Sequence, residues 1–197
     1  MISSVIVFPG SNCDRDIAVA LEKFQIKNKM VWHNESTLPK SDLVVLPGGF
    51  SYGDYLRTGS IASKSRIIND VIKHAKNGGL VLGICNGFQI LCEAGLLPGT
   101  LRINQSQKFI CKPVTIIDMH NIYTIPVAHA EGNYYHPDPS KINIEFTYTE
   151  NINGSIHRIA GVAHNNVLGM MPHPERAFET YHCSQDGIKI LEKFYGR

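Results

Sequence analysis

Apolar positions fall into short dense runs separated by amphipathic stretches. Ser4 to Phe8, Asp42 to Leu46 and Leu80 to Ile84 are near-continuous apolar runs of strand length, each closed by a proline, glycine or glycine-flanked turn. Between them, Asp14 to Phe24 puts Ile17, Leu21 and Phe24 on one helical face. Ile61 to Lys76 does the same with Ile68, Val71, Ile72 and Ala75, and Gly78-Gly79 supplies the stop signal. A further helix, Phe88 to Ala94, follows the third strand. Strands apolar on both faces and alternating with helices predict a mostly parallel sheet in a three-layer α/β/α sandwich. Ligands of such sheets bind beyond the carboxyl ends of the strands. Pro9-Gly10, Gly48-Gly49 and Cys85 all stand at such ends and are expected to converge.

The second half carries more strand signals. Ile122 to Val127 is one candidate. Ile142, Ile144, Phe146 and Tyr148 alternate strictly, which predicts a half-exposed antiparallel strand. Asn153-Gly154 marks a turn before a strand from Ile156 to Val162, and Val167 to Met171 is another apolar run. Ile188, Leu191 and Tyr195 define a closing helix. The pattern shows no repeat, low-complexity tract or linker, so residues 1–197 read as a single α/β domain with a small antiparallel region in its second half.

Composition narrows the classes. A net charge of +2 is too small to favour nucleic acid or a membrane surface. No apolar run reaches membrane-spanning length, and a strand signal starting at Ser4 predicts no secretory leader. Cys13, Cys85, Cys92, Cys111 and Cys183 make an odd count of five without CxxC spacing. A disulfide framework or structural zinc site is not expected, and the chain reads as cytoplasmic with reduced thiols.

The strongest chemical signal is Gly83-Ile84-Cys85-Asn86-Gly87, directly behind Leu80-Val81-Leu82. It has the layout of a nucleophile elbow, a strand ending in a tight turn that feeds a helix, with cysteine as nucleophile. The helix N-terminus behind Cys85 favours the thiolate. The segment Met170-Met171-Pro172-His173-Pro174-Glu175-Arg176 supplies a base. A residue before proline is pushed towards extended conformations, and in an extended segment residues two apart share a side. His173 and Glu175 are therefore expected side by side, with the carboxylate orienting the imidazole that takes the proton of Cys85.

Together with Phe8-Pro9-Gly10-Ser11-Asn12-Cys13-Asp14, Leu46-Pro47-Gly48-Gly49-Phe50-Ser51-Tyr52-Gly53-Asp54-Tyr55-Leu56-Arg57 and Leu82-Gly83-Ile84-Cys85-Asn86-Gly87-Phe88-Gln89-Ile90-Leu91, these segments resemble the class I, triad-type glutamine amidotransferases. The resemblance is closest to the small glutaminase subunits of phosphoribosylformylglycinamidine synthase and runs from residue 5 to the C-terminus. It implies a flavodoxin-like fold with Cys85, His173 and Glu175 as catalytic triad. It implies an oxyanion hole from the backbone N–H groups of Gly49 and Asn86, and a glutamine pocket drawing on Gly48, Gln89, Lys108 and Phe109. It implies no metal or cofactor in this chain. ATP and magnesium would belong to a partner, a synthetase acting on formylglycinamide ribonucleotide, joined by a small bridging subunit. Gly53, Asp54 and Arg57 read either as a solvated turn or, on the resemblance, as residues that meet that synthetase. The family pattern has glycine where Ala130 stands and alanine at Ser60, and His157 and His164 occupy positions usually rich in asparagine. None of these departures touches the triad.

Blander readings apply elsewhere. Cys92 and Cys111 read as inert core thiols, and Cys13 as either lining the site or packing. Gln89 could be a plain solvated helix position. His129 and Glu131 lack a third ligand at usable spacing, so zinc is not expected there; they read as facing a partner or capping a loop. Gly48-Gly49 lacks the remainder of a phosphate loop. Competing functions are an amidotransferase subunit of another pathway, a peptidase or deglycase on the same sheet (which would place histidine, not Asn86, after the nucleophile), and a glutamine sensor or scaffold.

Overall fold

The structure is a computed structural model in which residues 1–196 are described. In chain order it runs β1 (Ile2–Val7), α1 (Asp14–Lys23), β2 (Lys27–Trp32), β3 (Leu43–Leu46), α2 (Ile68–Lys76), β4 (Leu80–Ile84), α3 (Asn86–Glu93) and β5 (Thr100–Arg102). There follow β6 (Ile110–Ile117), β7 (Ile122–His129), β8 (Asn133–Tyr135), β9 (Asn143–Tyr148), β10 (Ile159–His164), β11 (Val167–Met170) and α4 (Asp186–Tyr195).

Nine strands form one sheet in the order β2-β1-β3-β4-β11-β10-β9-β6-β7. The pairings from β2 through β11 are parallel, and those from β11 through β7 are antiparallel. The expected α/β sheet is present. Its antiparallel strands extend the central sheet itself, and β5 pairs with β8 in a separate two-stranded ribbon. β3 and β11 are buried along their whole length, and β1 and β4 nearly so, as parallel strands covered on both faces must be. From β1 the chain crosses outward to β2, then returns to β3 on the other side of β1. Right-handed crossovers in opposite directions put α1 and α2 on opposite faces. They leave a crevice at the carboxyl ends of β1 and β3, the ligand position of doubly wound sheets. α4 closes the face that carries α1, where Phe24 meets Phe178 and Tyr195 edge-on with ring centroids 5.3 and 5.5 Å apart.

Several elements differ from the sequence expectation. β2 is an edge strand whose only buried residue is Val31. Its Lys27 and Lys29 keep the edge polar, as edges require, and so hide its strand character. The helix expected from Ile61 begins at Ile68. Ala62–Lys64 forms a separate 3-10 turn and Ser65 is extended. The Ser63 hydroxyl bonds the Ser60 carbonyl and that of Ser65 meets the Tyr52 hydroxyl, side-chain bonds that compete with helix continuation. The strand expected from Ile156 begins at Ile159, because Ile156–Arg158 is a 3-10 turn with His157 at φ 48°. Cys111 is not a core residue. It faces solvent on β6.

Candidate active site

Cys85 stands between β4 and α3, at φ 50° and ψ −106°. A side-chain-bearing residue in this sparsely populated region costs about 1–3 kcal/mol and persists only where its surroundings fix it. The glycines on either side do so. A Cβ at Gly87 would sit 1.9 Å from the Leu46 carbonyl oxygen, and one at Gly83 would lie 2.8 Å from the Gly87 backbone. The elbow thus packs backbone to backbone against the end of β3. The Cys85 N–H donates to the Met170 carbonyl at 2.8 Å, and its thiol faces the Ala128 carbonyl at 3.6 Å.

His173 and Glu175 meet as expected, but not in an extended strand. Pro174–Arg176 is a 3-10 turn, and the turn brings Glu175 Oε1 to 2.6 Å from His173 Nδ1. Both residues are at most 3% exposed. The carboxylate holds the proton on Nδ1 and leaves Nε2, buried and without another hydrogen-bond partner among the described residues, as the acceptor. Burial alone would push the imidazole pKa down. The negative charge of Glu175, with Cys85 and Cys13 beside the ring, outweighs burial and holds His173 well above an ordinary histidine.

Sequence reasoning left Cys13 open between two roles, and the structure puts it against His173. Its thiol is buried, and burial raises its pKa although His173 pulls the other way. Gly48 lies against the same ring: a Cβ there would come within 2.7 Å of His173 Cε1 and 3.1 Å of Cys13 Sγ. Only glycine leaves the imidazole its position.

Gly49 lies in the loop after β3, and Asn86 follows Cys85 at the head of α3. Gly49 has φ 146°, and a Cβ would lie 2.8 Å from Ser11 Cα. It bridges Ser11, with hydrogen bonds from Phe50 N–H to the Gly10 carbonyl and from Cys13 N–H to the Gly48 carbonyl. These leave the N–H of Gly49 outside the bridge. The N–H of Asn86 opens α3, where no intrahelical acceptor exists. The Asn86 side chain was not foreseen as a brace. It accepts from Ser51 N–H at 3.3 Å and donates to Gln89 Oε1 at 3.0 Å, tying the Gly49 loop to α3. Gln89 is buried, so the solvated reading fails. Its amide donates to the Glu131 carbonyl at 2.7 Å, which ties α3 to the segment after β7.

Lys108 and Phe109 lie in the loop before β6. The Phe109 ring is 6.3 Å from that of Phe50, next to Gly49, whereas the Lys108 side chain is exposed and its carbonyl accepts from Asn104. His129 does not face outward. It is buried, and its Nδ1 donates to Asn104 Oδ1 at 3.0 Å. The Glu131 carboxylate accepts from Thr58. Asp54 is pushed up to about 6, first by burial and then by Glu131. Among the described residues no helix is long and apolar enough to cross a membrane.

A strained cysteine at a strand–helix elbow and a buried histidine–carboxylate pair are the features of a glutamine amidotransferase of the cysteine-triad class. The model of the CobB/CobQ-like glutamine amidotransferase domain matches residues 3–145. The phosphoribosylformylglycinamidine synthase subunit PurQ of Pelagibacter ubique is 53% identical, with 95% of each chain covered. That of a Ruegeria species is 46% identical over 100% of this chain and 98% of its own. The structure of PurLQS from Thermotoga maritima contains a chain that superposes with a TM-score of 0.94 at 43% identity, over 99% of this chain and 97% of that one. The chain belongs to the PurQ family of glutamine amidotransferases.

Proposed function

We propose that this chain is the glutaminase subunit of a phosphoribosylformylglycinamidine synthase. It hydrolyses the side-chain amide of glutamine and passes the ammonia to a partner synthetase that converts formylglycinamide ribonucleotide to formylglycinamidine ribonucleotide in purine biosynthesis. The observation that carries this reading is a strained Cys85 at the head of α3 beside a buried His173 that Glu175 orients at 2.6 Å. Cys85 Sγ attacks the amide carbon as its proton passes to His173 Nε2. The N–H groups of Gly49 and Asn86 hold the developing oxyanion. His173 returns the proton to the leaving nitrogen, ammonia departs and a glutamyl thioester remains. Water, deprotonated by the same nitrogen, attacks the thioester, and glutamate leaves as Cys85 is restored. Glutamine lies between the Gly49 loop and Phe109, with Gly48, Gln89 and Lys108 as the remaining pocket residues.

Ammonia released into water at neutral pH would be protonated and lost as a nucleophile, so transfer has to be direct. In this reading the partner surface surrounds the loop that carries Gly49. Tyr55 and Leu56 are 75% and 91% exposed, with Phe50, Ile103 and Phe109 also open to solvent. In the same loop Tyr52, Gly53, Asp54 and Leu56 all have positive φ. The partner orders this loop, so the isolated chain is a poor glutaminase. The partner binds ATP and magnesium, a small bridging subunit joins the two, and the assembly works in the cytoplasm.

The test is glutamate release by this chain mixed with the synthetase, the bridging subunit, acceptor and ATP. Acceptor-dependent release that disappears in Cys85→Ala, while ammonium salt still supports product, is the expected result. An intact ammonium reaction with no glutamate release from the unmodified chain would remove it as the ammonia donor.

A further inference from the structure

We propose that Cys13, His173 and Glu175 form an inhibitory site for a thiophilic divalent cation of the zinc class, on the edge of the imidazole that faces away from Cys85. A thiol, an imidazole nitrogen and a carboxylate oxygen lie within 4.8 Å of one another, all three from buried residues. Cysteine, histidine and carboxylate are the donor set zinc selects. A methyl group built on Gly48 would lie 2.7 Å from His173 Cε1, 3.1 Å from Cys13 Sγ and 3.4 Å from His173 Nδ1, so the thiol and the ring lie against the same backbone. Glu175 Oε1 already points at Nδ1, and its Oε2 is buried with no hydrogen-bond partner among the described residues. That leaves a carboxylate oxygen of the cluster with unused lone pairs. With glycine at position 48, no Cβ presses on the ring or the thiol.

The cation takes the place of the proton between Nδ1 and Glu175, which moves to Nε2, and of the proton on Cys13, which goes to solvent. With Nδ1 coordinated, the remaining ring proton sits on Nε2. The imidazole can then no longer accept the proton of Cys85. The site therefore switches hydrolysis off without occupying the nucleophile. This inhibitory role rests on the proposed glutaminase reading; binding itself does not.

Cobalt(II) reports binding without turnover. Titrated into the Cys85→Ala chain, it is expected to give a thiolate-to-cobalt charge-transfer band that zinc abolishes. The band disappears on adding Cys13→Ser, or Cys13→Ala should the serine variant not fold as judged by circular dichroism. A band that survives loss of Cys13, or no band at all, overturns the site. In the reconstituted complex, zinc inhibits glutamate release and a chelator restores it, and Cys13→Ser raises the zinc concentration needed about 10-fold or more. Equal sensitivity in both proteins overturns the inhibitory role. A complex that releases no glutamate under any condition refutes the glutaminase reading, while the cobalt result still decides the site.

Discussion

His129 should make the fold acid-sensitive by a predictable amount. It ends β7, buried, with Nδ1–H given to Asn104 and Nε2 enclosed without a partner among the described residues. Charging the ring would strand a donor and a positive charge beside His173. Burial first, and the charge of His173 second, push its pKa from 6.5 down to about 4. Unfolded, the ring takes its proton near pH 6.5. Folded, it resists until pH 4. Stability from the neutral ring is therefore complete above about pH 6.5, falls through the window between the two values, and is gone below about pH 4. At 1.36 kcal/mol per unit the whole span is worth about 3 kcal/mol, of which about 2 kcal/mol is lost by pH 5. His129→Asn keeps an N–H donor near Asn104 and removes the titration. Urea unfolding of both proteins at about pH 7.5 and about pH 5 isolates the effect, because groups common to both cancel. The variant is less stable at the higher pH through lost packing, and the gap narrows by about 2 kcal/mol at the lower pH. Parallel losses in the two proteins would refute the account of a neutral, enclosed ring.

Glu175→Gln preserves shape but no longer fixes the Nδ1 proton, so kcat for glutamate release by the complex falls by roughly 10³ to 10⁴ with KM little changed; steady-state kinetics check it. Gly49→Ala forces a Cβ to 2.8 Å from Ser11 Cα and moves the oxyanion donor. A loss of about 10² to 10³ in kcat is expected, with the ammonium-supported reaction unaffected. Gly87→Ala meets the Leu46 carbonyl oxygen at 1.9 Å, which no side-chain rotation relieves. Destabilisation above about 4 kcal/mol, read from thermal or urea unfolding, is expected.

The parallel core was legible because its strands carry their burial in every residue, and the elbow because Gly83 and Gly87 bracket a cysteine directly after such a strand. The His173–Glu175 contact was foreseen on the wrong geometry. An extended segment and a 3-10 turn both bring residues two apart together here, so the pair survives the change of backbone. Other features left no local trace. β2 is polar because it is an edge. β6 mixes Lys112 and Pro113 into its run, and its pairing with β7 spans residues 110 to 129. The Asn86 brace and the approach of Cys13 to His173 depend on distant loops folding against one another. Periodicity reports which face of an element is buried, and these contacts join residues whose own elements give no reason to meet.

Cys85 and His173, the residues proposed to react, stand at the seam where the sheet changes sense. β11 runs parallel to β4 on one side and antiparallel to β10 on the other. Cys85 leaves the end of β4 with its N–H on the Met170 carbonyl. The chain leaving β11 is pinned through Met171 N–H to Ala160 and His173 N–H to Pro126. The nucleophile is thus placed by the parallel half and its base by the antiparallel half. The register Gly169 with Gly83 and Met170 with Ile84 sets how the two approach. Gly169 fixes that register from outside the sheet as well, since a Cβ there would come within 2.2 Å of the Phe88 ring on α3. A slip of one residue would turn every side chain of β11 to the opposite face and carry His173 away from Cys85. The antiparallel extension is therefore part of the catalytic frame: without β7 and β10 to hold the segment after β11, His173 would have no fixed position over the elbow.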